Sequence, residues 1–267
     1  MTTPDGPAAG DASPSGRVEW NGAAYDRLSA PQARWGRAVV ERLVLGGNET
    51  VLDAGCGSGR VTEELVARVP EGRVVALDAS ASMLDEARRR LRSHADRVRF
   101  VRADLLALDR RTLGGDAPVD AVLSTATLHW ITDHDRVFAN LAAVMRPGAQ
   151  LVAQCGAEGN IARLLEAAHS VGVERAGSWL YAAPEETARR LGRAGFVDVD
   201  VWTNPEPTSF ADEDSLGAFL ETVCLREHLA TVPRAQWRPL VQRVIGAMAD
   251  PVIDYVRLNI VARRALG

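Results

Sequence analysis

Residues 51–62 read Val51-Leu52-Asp53-Ala54-Gly55-Cys56-Gly57-Ser58-Gly59-Arg60-Val61-Thr62. A short apolar run precedes alternating glycines and then residues with helical spacing, which predicts a strand, a tight loop and a helix. Glycine tolerates positive φ and lets a ligand approach the backbone, and a helix N-terminus presents free N–H groups and a positive dipole end. The stretch therefore predicts a site for a ligand with a polar or anionic part.

The glycine spacing argues against the dinucleotide fingerprint of nicotinamide-dependent enzymes. G-x-G-x-x-G would place its third small residue at position 60, where this chain has Arg60, and Gly59 comes one step earlier. The chain also has no lysine, so the Tyr-x-x-x-Lys pair of many such enzymes is absent. An NAD-dependent oxidoreductase stays an alternative that these two features disfavour.

Strands and helices alternate along the first 156 residues. Apolar runs at five places predict strands, and each run is followed by a helical or irregular crossover. The predicted strands are the one beginning at Val51, Arg73–Asp78, Val98–Asp104, Val119–Thr125 and Ala149–Cys155. This order predicts an α/β protein with a doubly wound, mostly parallel sheet, whose ligands bind at the carboxyl ends of the strands.

The pattern changes after Gly156. Two helical segments precede a strand predicted at Phe196–Trp202, and two further amphipathic helices, Glu213–Leu229 and Arg234–Ala249, precede a final strand at Tyr255–Ala262. Helices inserted between the last two strands are expected to cover the ligand edge as a lid.

Composition narrows the class of protein. The 267 residues are 46% apolar and carry a net charge of −4, which suits one large globular domain and gives no basic footprint for nucleic acid. No apolar run approaches 18 residues, so no membrane span is expected. The cysteines Cys56, Cys155 and Cys224 are odd in number and far apart, which favours a reducing cytoplasm over a disulfide framework.

The chain resembles the class I S-adenosylmethionine-dependent methyltransferases. The likeness rests on residues 51–59, Asp78, the pair Asp104-Leu105 and the turn Arg146-Pro147-Gly148. Leu128 to His134 and the helical insert look like the branch of trans-aconitate methyltransferases and malonyl-carrier-protein O-methyltransferases, which esterify small carboxylates. The resemblance implies a seven-stranded Rossmann-like fold with S-adenosyl-L-methionine as cofactor and S-adenosyl-L-homocysteine as product.

Composition, which is rich in Pro, Gly, Ala, Ser and Asp at the start of the chain, and this resemblance together imply a division of the chain. Residues 1–17 are expected to be a disordered tail and residues 18–267 a single methyltransferase domain. Within it we expect N-terminal cap helices at 18–50, a cofactor-binding core at 51–156, and a C-terminal half at 157–267 with a helical lid at about 212–250.

The resemblance also assigns the cofactor site. Gly55, Gly57 and Gly59 are expected against the methionine moiety, Asp53 beside its amino group or ordering the loop, and Asp78 on the ribose hydroxyls. The remaining cofactor-binding residues expected are Ala79 and Met83 beside the adenine, Asp104 and Leu105 at its edge, and Thr125. An N-cap role for Asp78 and a turn role for Asp104 are the structural alternatives.

The acceptor side is less defined. His129, after the fourth strand, would orient the acceptor or take its proton, or else is a histidine fixed in the cofactor wall. Tyr25 is a second candidate base, while His134 and His228 are expected at the surface. The candidate substrate residues are Trp20, Arg34, Trp35, Trp130 and Arg226. The alternative for Trp20 and Trp35 is that they only fix a helix to the sheet.

The predicted function is methyl transfer from S-adenosyl-L-methionine to a carboxylate or hydroxyl oxygen of a small molecule. C-methylation of a secondary metabolite and a non-catalytic cofactor-binding protein are the alternatives that remain. We expect no metal, because the histidines are scattered and no metal-ligand spacing occurs. The sequence makes no prediction of the oligomeric state.

Overall fold

A computed structural model describes residues 30–174, 179–230 and 232–266, with side chains from residue 35 onward. The predicted tail and the candidates Trp20 and Tyr25 lie outside these residues. The helices are α1 (Ala30–Val40), α2 (Arg60–Arg68), α3 (Ala81–Arg90), α4 (Arg110–Leu113), α5 (His134–Val144), α6 (Ala162–Ser170), α7 (Pro184–Arg193), α8 (Glu213–Phe219), α9 (Arg226–Leu229) and α10 (Trp237–Ala247). The strands are β1 (Thr50–Ala54), β2 (Arg73–Asp78), β3 (Val98–Arg102), β4 (Val119–Thr125), β5 (Met145–Gly156), β6 (Phe196–Pro205), β7 (Thr208–Ser209), β8 (Val252–Ile253) and β9 (Val256–Arg264).

The main sheet has seven strands in the order β3-β2-β1-β4-β5-β9-β6. The first five pair in parallel, and β9 lies antiparallel between β5 and β6. The strand order reverses between β1 and β4, and in open α/β sheets the crevice at such a reversal is where ligands bind. The predicted doubly wound, mostly parallel sheet is confirmed.

Alternate residues of the central strands bury opposite faces of the sheet. Leu52 and Val75 belong to the apolar cluster on one face, whereas Val51 and Val74 belong to the cluster on the other. This is why the strands read as continuous apolar runs in the sequence. A third apolar cluster, which includes Leu164 and Phe219, joins the helices that follow β5.

The helical insert before the last strand is confirmed, but its first helix is not continuous. The predicted helix Glu213–Leu229 consists of α8, a π-helical turn at Leu220–Cys224 and the short helix α9. The N–H of Leu225 donates to the carbonyl of Leu220 at 2.8 Å, which is an i to i+5 bond. A sequence period of 3.6 does not reveal one extra residue in a single turn.

Other differences concern strand ends and short elements. The predicted turn Arg146–Gly148 is a bulge inside β5, since Met145 already pairs with Val119 and the register then shifts. The two-residue strands β7 and β8 pair with each other and are too short to give an alternating pattern.

Candidate active site

The glycine loop joins β1 to α2 with all three glycines at positive φ, +88° at Gly55, +53° at Gly57 and +80° at Gly59. The N–H groups of Gly55 and Cys56 both donate to the carbonyl of Leu77 in β2, at 2.8 and 2.9 Å. The loop is therefore held against the end of the neighbouring strand.

The three glycines serve different purposes. A Cβ on Gly55 would overlap the side chain of Thr127, and a Cβ on Gly59 would lie 3.0–3.1 Å from Ala87 of α3. Only Gly57 opens onto free space, because a Cβ there meets nothing within 4 Å. Gly59 is absent from the cavity wall described below, and its missing Cβ permits the close packing of α2 against α3.

Asp78, the last residue of β2, links the glycine loop to the next helix. Its Oδ2 accepts a hydrogen bond from the N–H of Gly57 and its Oδ1 accepts one from the N–H of Ser80, each at 2.9 Å. The N-cap of α3 is Ser80, whose hydroxyl accepts from the N–H of Met83. Asp78 thus orders the loop and also lies in the cavity wall.

Asp53 is fully buried beneath the loop. Its Oδ2 accepts from the Thr62 hydroxyl at 2.7 Å, while its Oδ1 has no partner. Burial raises the pKa of Asp53 to about 7, with a smaller contribution from the nearby Asp78 carboxylate. Asp53 is outside the cavity wall, a position that suits ordering of the loop better than contact with the ligand.

A cavity of about 230 Å³ lies along the carboxyl edge of the sheet. The other expected cofactor residues all line it, namely Ala79, Met83, Asp104, Leu105 and Thr125. The Asp104 carboxylate accepts from the N–H of Leu106 at 2.9 Å, so the turn role is present together with the position in the wall. Cys56 also lines the cavity, and burial raises the pKa of its thiol, which does not favour a nucleophile.

His129 is buried in the same wall, 8% exposed. The N–H of Gly156 points at its Nδ1 from 3.4 Å, so the neutral ring carries its proton on Nε2. Burial, the Arg257 charge and His134 together hold the pKa of His129 well below its usual value. The imidazole is therefore neutral at physiological pH, and its Nε2–H is a hydrogen-bond donor.

His134 and His228 are buried, which corrects their expected surface position. His134 Nε2 donates to the carbonyl of Leu128 at 2.9 Å and fixes the turn that carries His129. The ring of His228 packs against Trp179 with centroids 4.9 Å apart.

The sequence reasoning missed Arg257, which is 3% exposed and lines the cavity from β9. Its guanidinium lies over the ring of Trp35, 4.6 Å from the centroid, and 5.9 Å from that of Tyr255. Trp35 Nε1 donates to Glu206 Oε2 at 3.1 Å, so the ring under the guanidinium is anchored. Trp35 both fixes its helix and lines the cavity.

Aromatic residues form much of the remaining wall. Trp130 was expected there, whereas Trp179 and Tyr181 were not. The helical insert contributes Val223, Cys224 and Glu227 to the wall. Arg226 does not line the cavity, so the structure gives no support to its expected substrate contact. The side chain of Arg34 lies outside the described ones.

The described residues contain neither a membrane-spanning helix nor a group of side chains placed to hold a metal ion. None of the helices within residues 30–174, 179–230 and 232–266 has the length and apolar character of a membrane span. Within the same ranges, no group of three or more His, Cys, Asp or Glu side chains is placed to hold a metal ion.

The geometry of the cavity is by itself suited to S-adenosyl-L-methionine. Gly57 leaves open the space that a Cβ would fill, and the adjoining strand ends place Asp78 and Asp104 in the same wall. A carboxylate in that position suits ribose hydroxyls, while the thioether of Met83 suits a purine ring.

Comparisons with known proteins agree with the geometry. Residues 51–148 match the model of a methyltransferase domain. The chain is 30% identical over 270 residues to the trans-aconitate 2-methyltransferase of Paracidovorax citrulli, covering 92% of this chain and 99% of that protein.

Solved structures share the fold. Phosphoethanolamine N-methyltransferase 2 of Haemonchus contortus, in complex with S-adenosyl-L-methionine, superposes with a TM-score of 0.58 at 17% identity, over 92% of this chain and 57% of that one. The [4+2]-cyclase SpnF superposes with a TM-score of 0.58 at 22% identity, over 88% and 82% of the two chains. The fold thus also carries a protein named for other chemistry, and the sequence relatives decide the family. This chain belongs to the class I S-adenosylmethionine-dependent methyltransferases and uses S-adenosyl-L-methionine as its methyl donor.

Proposed function

We propose that the enzyme transfers the methyl group to a carboxylate oxygen of a small molecule. The observation that carries the proposal is Arg257, an arginine buried in the wall of the cavity and close enough to His129 for its charge to lower the pKa of that imidazole. Arginine is suited to hold a carboxylate through two parallel hydrogen bonds. The name of the trans-aconitate 2-methyltransferase relative supports the same class of acceptor.

Binding of the donor is proposed for the loop and the strand ends. Gly57 would let the methionine part approach the backbone, Asp78 would accept hydrogen bonds from the ribose, and Asp104 with Leu105 would meet the adenine edge. When bound, the cofactor supplies an electrophilic methyl group on a positively charged sulfur. The protein contributes alignment and exclusion of water.

His129 is proposed to orient the acceptor. A carboxylate is already ionised at neutral pH and needs no general base, and a neutral imidazole with its proton on Nε2 can donate to one carboxylate oxygen. Tyr25 is therefore not required as a base. Arg257 and His129 would hold the acceptor from two sides while its second oxygen faces the methyl group.

The experiment is an assay with methyl-labelled donor and panels of carboxylic acids, phenols and β-dicarbonyl compounds. The proposal expects labelled products that alkali hydrolyses, because methyl esters are labile and methyl ethers or C-methyl groups are not. Arg257→Gln should lower kcat/KM at least tenfold, while donor affinity measured by calorimetry stays within twofold. Alkali-stable products would reject the carboxylate in favour of a hydroxyl or carbon acceptor.

We also propose that the protein acts in the cytoplasm on a small molecule and not on nucleic acid. The cysteines at positions 56, 155 and 224 are free thiols, as is usual in a reducing compartment. Fractionation of the producing cells, with a periplasmic marker as control, tests the location.

A further inference from the structure

Asn160 lies between β5 and α6 and forms part of the cavity wall. It is 4% exposed, and the backbone around it is fixed by two hydrogen bonds. Its own N–H donates to the carbonyl of Ala157, and the N–H of Ile161 donates to the carbonyl of Asp254, each at 3.0 Å. The place of the Asn160 side chain in the wall is therefore set by the chain on both sides.

One hydrogen bond decides which way the Asn160 amide points. The N–H of Val256, the first residue of β9, donates to Oδ1 of Asn160 at 3.0 Å. A backbone N–H can only donate, so the amide atom that meets it is the oxygen, and Nδ2 lies on the other side. Within the residues that the structure describes, Nδ2 makes no hydrogen bond, yet it is not one of their enclosed polar atoms that lack a partner. Its N–H groups are therefore open to the cavity.

Asn160 and His129 meet at the end of β5. The Nδ2 atom of Asn160 lies 3.0 Å from the place that a Cβ on Gly156 would take, and a ring carbon of Tyr181 lies 2.7 Å from that place. The N–H of Gly156 points at Nδ1 of His129 from 3.4 Å. Glycine at this position thus lets two N–H donors, Nδ2 of Asn160 and Nε2 of His129, belong to one region of the cavity wall.

The order of the strands separates this region from the proposed donor site. Asp104 follows β3, Asp78 ends β2 and the glycine loop follows β1, whereas Gly156 ends β5 on the far side of β4. Neighbouring strands are about 4.8 Å apart, so Gly156 is roughly 14 Å from Asp78 along the sheet edge. The donor is proposed to bind from Asp104 to the glycine loop. The end of β5 therefore lies beyond its methionine part and is left for the acceptor.

We propose, on the basis of the proposed function, that Asn160 binds the acceptor, and that its Nδ2 donates to the carboxylate oxygen that also accepts from His129. Hydrogen bonds to an ionised oxygen are stronger than those between neutral groups. The other carboxylate oxygen uses a lone pair to form the O–CH₃ bond, and the S–CH₃ bond breaks with its electron pair left on the sulfur. The products are a neutral methyl ester and a neutral thioether, and no proton is released.

Two substitutions separate this role from a structural one. Asn160→Asp keeps an oxygen for the N–H of Val256 and replaces Nδ2 by a second oxygen that carries negative charge. Asn160→Ala loses the acceptor and the donor together but adds no charge. The proposal expects kcat/KM for a carboxylic acid to fall about tenfold in Asn160→Ala and at least a hundredfold in Asn160→Asp, because the new charge repels the carboxylate. A side chain that only held β9 would give the opposite order, with Asn160→Asp close to wild type.

Asn204→Asp is the matched control for the added charge. Oδ1 of Asn204 also accepts within the protein, from Nε1 of Trp202 at 2.9 Å and from Nδ2 of Asn259 at 3.0 Å. Asn204 pairs with Arg257 across β6 and β9 but is exposed and outside the cavity wall, so kcat/KM should stay within twofold of wild type. The comparison leaves unchanged the charged side chains of the cavity wall, namely Arg60, Asp78, Asp104, Glu227 and Arg257.

The assay uses methyl-labelled donor with trans-aconitate, cinnamate and hexanoate, and the acid with the highest kcat/KM serves for the variants. Donor affinity measured by calorimetry should stay within twofold of wild type in all three variants. A kcat/KM of Asn160→Asp that equals or exceeds that of Asn160→Ala overturns the inference while carboxylate methylation stands, and so does a loss of donor affinity that matches the loss of kcat/KM. Labelling of none of the acids, with labelling of a phenol or β-dicarbonyl compound, rejects the proposed function and the inference together.

Discussion

The Asp78 carboxylate accepts the backbone N–H of Gly57 at 2.9 Å, across 21 residues of sequence. This bond fixes Gly57, the loop glycine whose Cβ position is unobstructed, and the second carboxylate oxygen accepts from Ser80 at the start of α3. Asp78 thus lies in the cavity wall and also holds the glycine loop in place. Its substitution should affect both donor affinity and loop order.

Asp78→Ala should weaken binding of S-adenosyl-L-methionine at least tenfold in calorimetry, because the proposed ribose acceptor and the hydrogen bonds from Gly57 and Ser80 are lost together. Asp133→Ala is the matched control: Asp133 accepts the N–H of Arg136 at 3.0 Å as the N-cap of α5 and lies outside the cavity wall. The control should lose about 1 kcal/mol in the free energy of unfolding and keep its donor affinity. Equal affinities of Asp78→Ala and wild type would remove Asp78 from the site.

Gly57→Ala should weaken donor binding at least tenfold, because the added methyl group would fill the open space beside the glycine loop, where the donor is proposed to bind. Gly172→Ala is its control, since Gly172 also has positive φ and an unobstructed Cβ but is exposed and outside the cavity. Both variants should lose about 1–2 kcal/mol in the free energy of unfolding from left-handed backbone strain. Only Gly57→Ala should change the dissociation constant, and a similar change in Gly172→Ala would show that strain alone is responsible.

Asp53 should make the stability of the ligand-free protein depend on pH. Its pKa is raised from 3.8 in the unfolded chain to about 7, so between these values the folded state binds more protons than the unfolded state. The free energy of unfolding should therefore fall as the pH rises from about 4 to about 7 and level off above that.

Asp53→Asn keeps an acceptor for the Thr62 hydroxyl and removes the ionisation. Its melting temperature relative to wild type should accordingly increase from pH 5 to pH 8, as measured by calorimetry in buffers of equal ionic strength. A difference between the two proteins that is constant with pH would mean that Asp53 does not titrate in this range.

Substitutions of His129 can separate the roles of its two ring nitrogens. Asn places an oxygen near the position of Nδ1 and can still accept from the Gly156 N–H, whereas Gln reaches toward the position of Nε2 and can donate there. We expect His129→Gln to keep kcat/KM within tenfold of wild type, and His129→Asn to lose about tenfold or more, the value of one hydrogen bond to a charged acceptor.

The pH profile supplies the second readout for His129. Because its pKa lies well below the usual value, kcat/KM of the wild type should stay level from pH 6 to 8 for a carboxylate acceptor. A fall in activity below pH 7 that disappears in both variants would instead assign His129 as the general base.

The cofactor-binding core was predicted well from the sequence, because the apolar runs and turn residues that mark its strands are local signals. β2 and β4 have the predicted bounds, since each is an apolar run enclosed by turn residues, and the strand-end acid Asp78 lies where the alternation places it. The acceptor residues were harder to predict, because His129 and Arg257 are 128 positions apart and meet only through the pairing of β5 with β9. The signal available for Arg257 was a charged residue inside the apolar run that forms β9, a strand paired on both sides.

Arg226 was predicted because an arginine suits a carboxylate, and it lies in a short helix whose start was not predicted. A continuous helix over Glu213–Leu229 was assumed, and the π-helical turn at Leu220–Cys224 adds one residue before α9. Glu227 of α9 lines the cavity, whereas Arg226 does not.

The π-helical turn at Leu220–Cys224 contains one residue more than an α-helical turn. The number of residues in this turn therefore sets which side chains of α9 face the cavity. Deleting one residue there would restore ordinary helical spacing and rotate the side chains of α9 by about 100° around its axis. Glu227 would leave the wall and a neighbour would replace it, with the sheet and the donor site untouched. In this architecture a single-codon deletion, and not only a substitution, is thus a route to a new substrate.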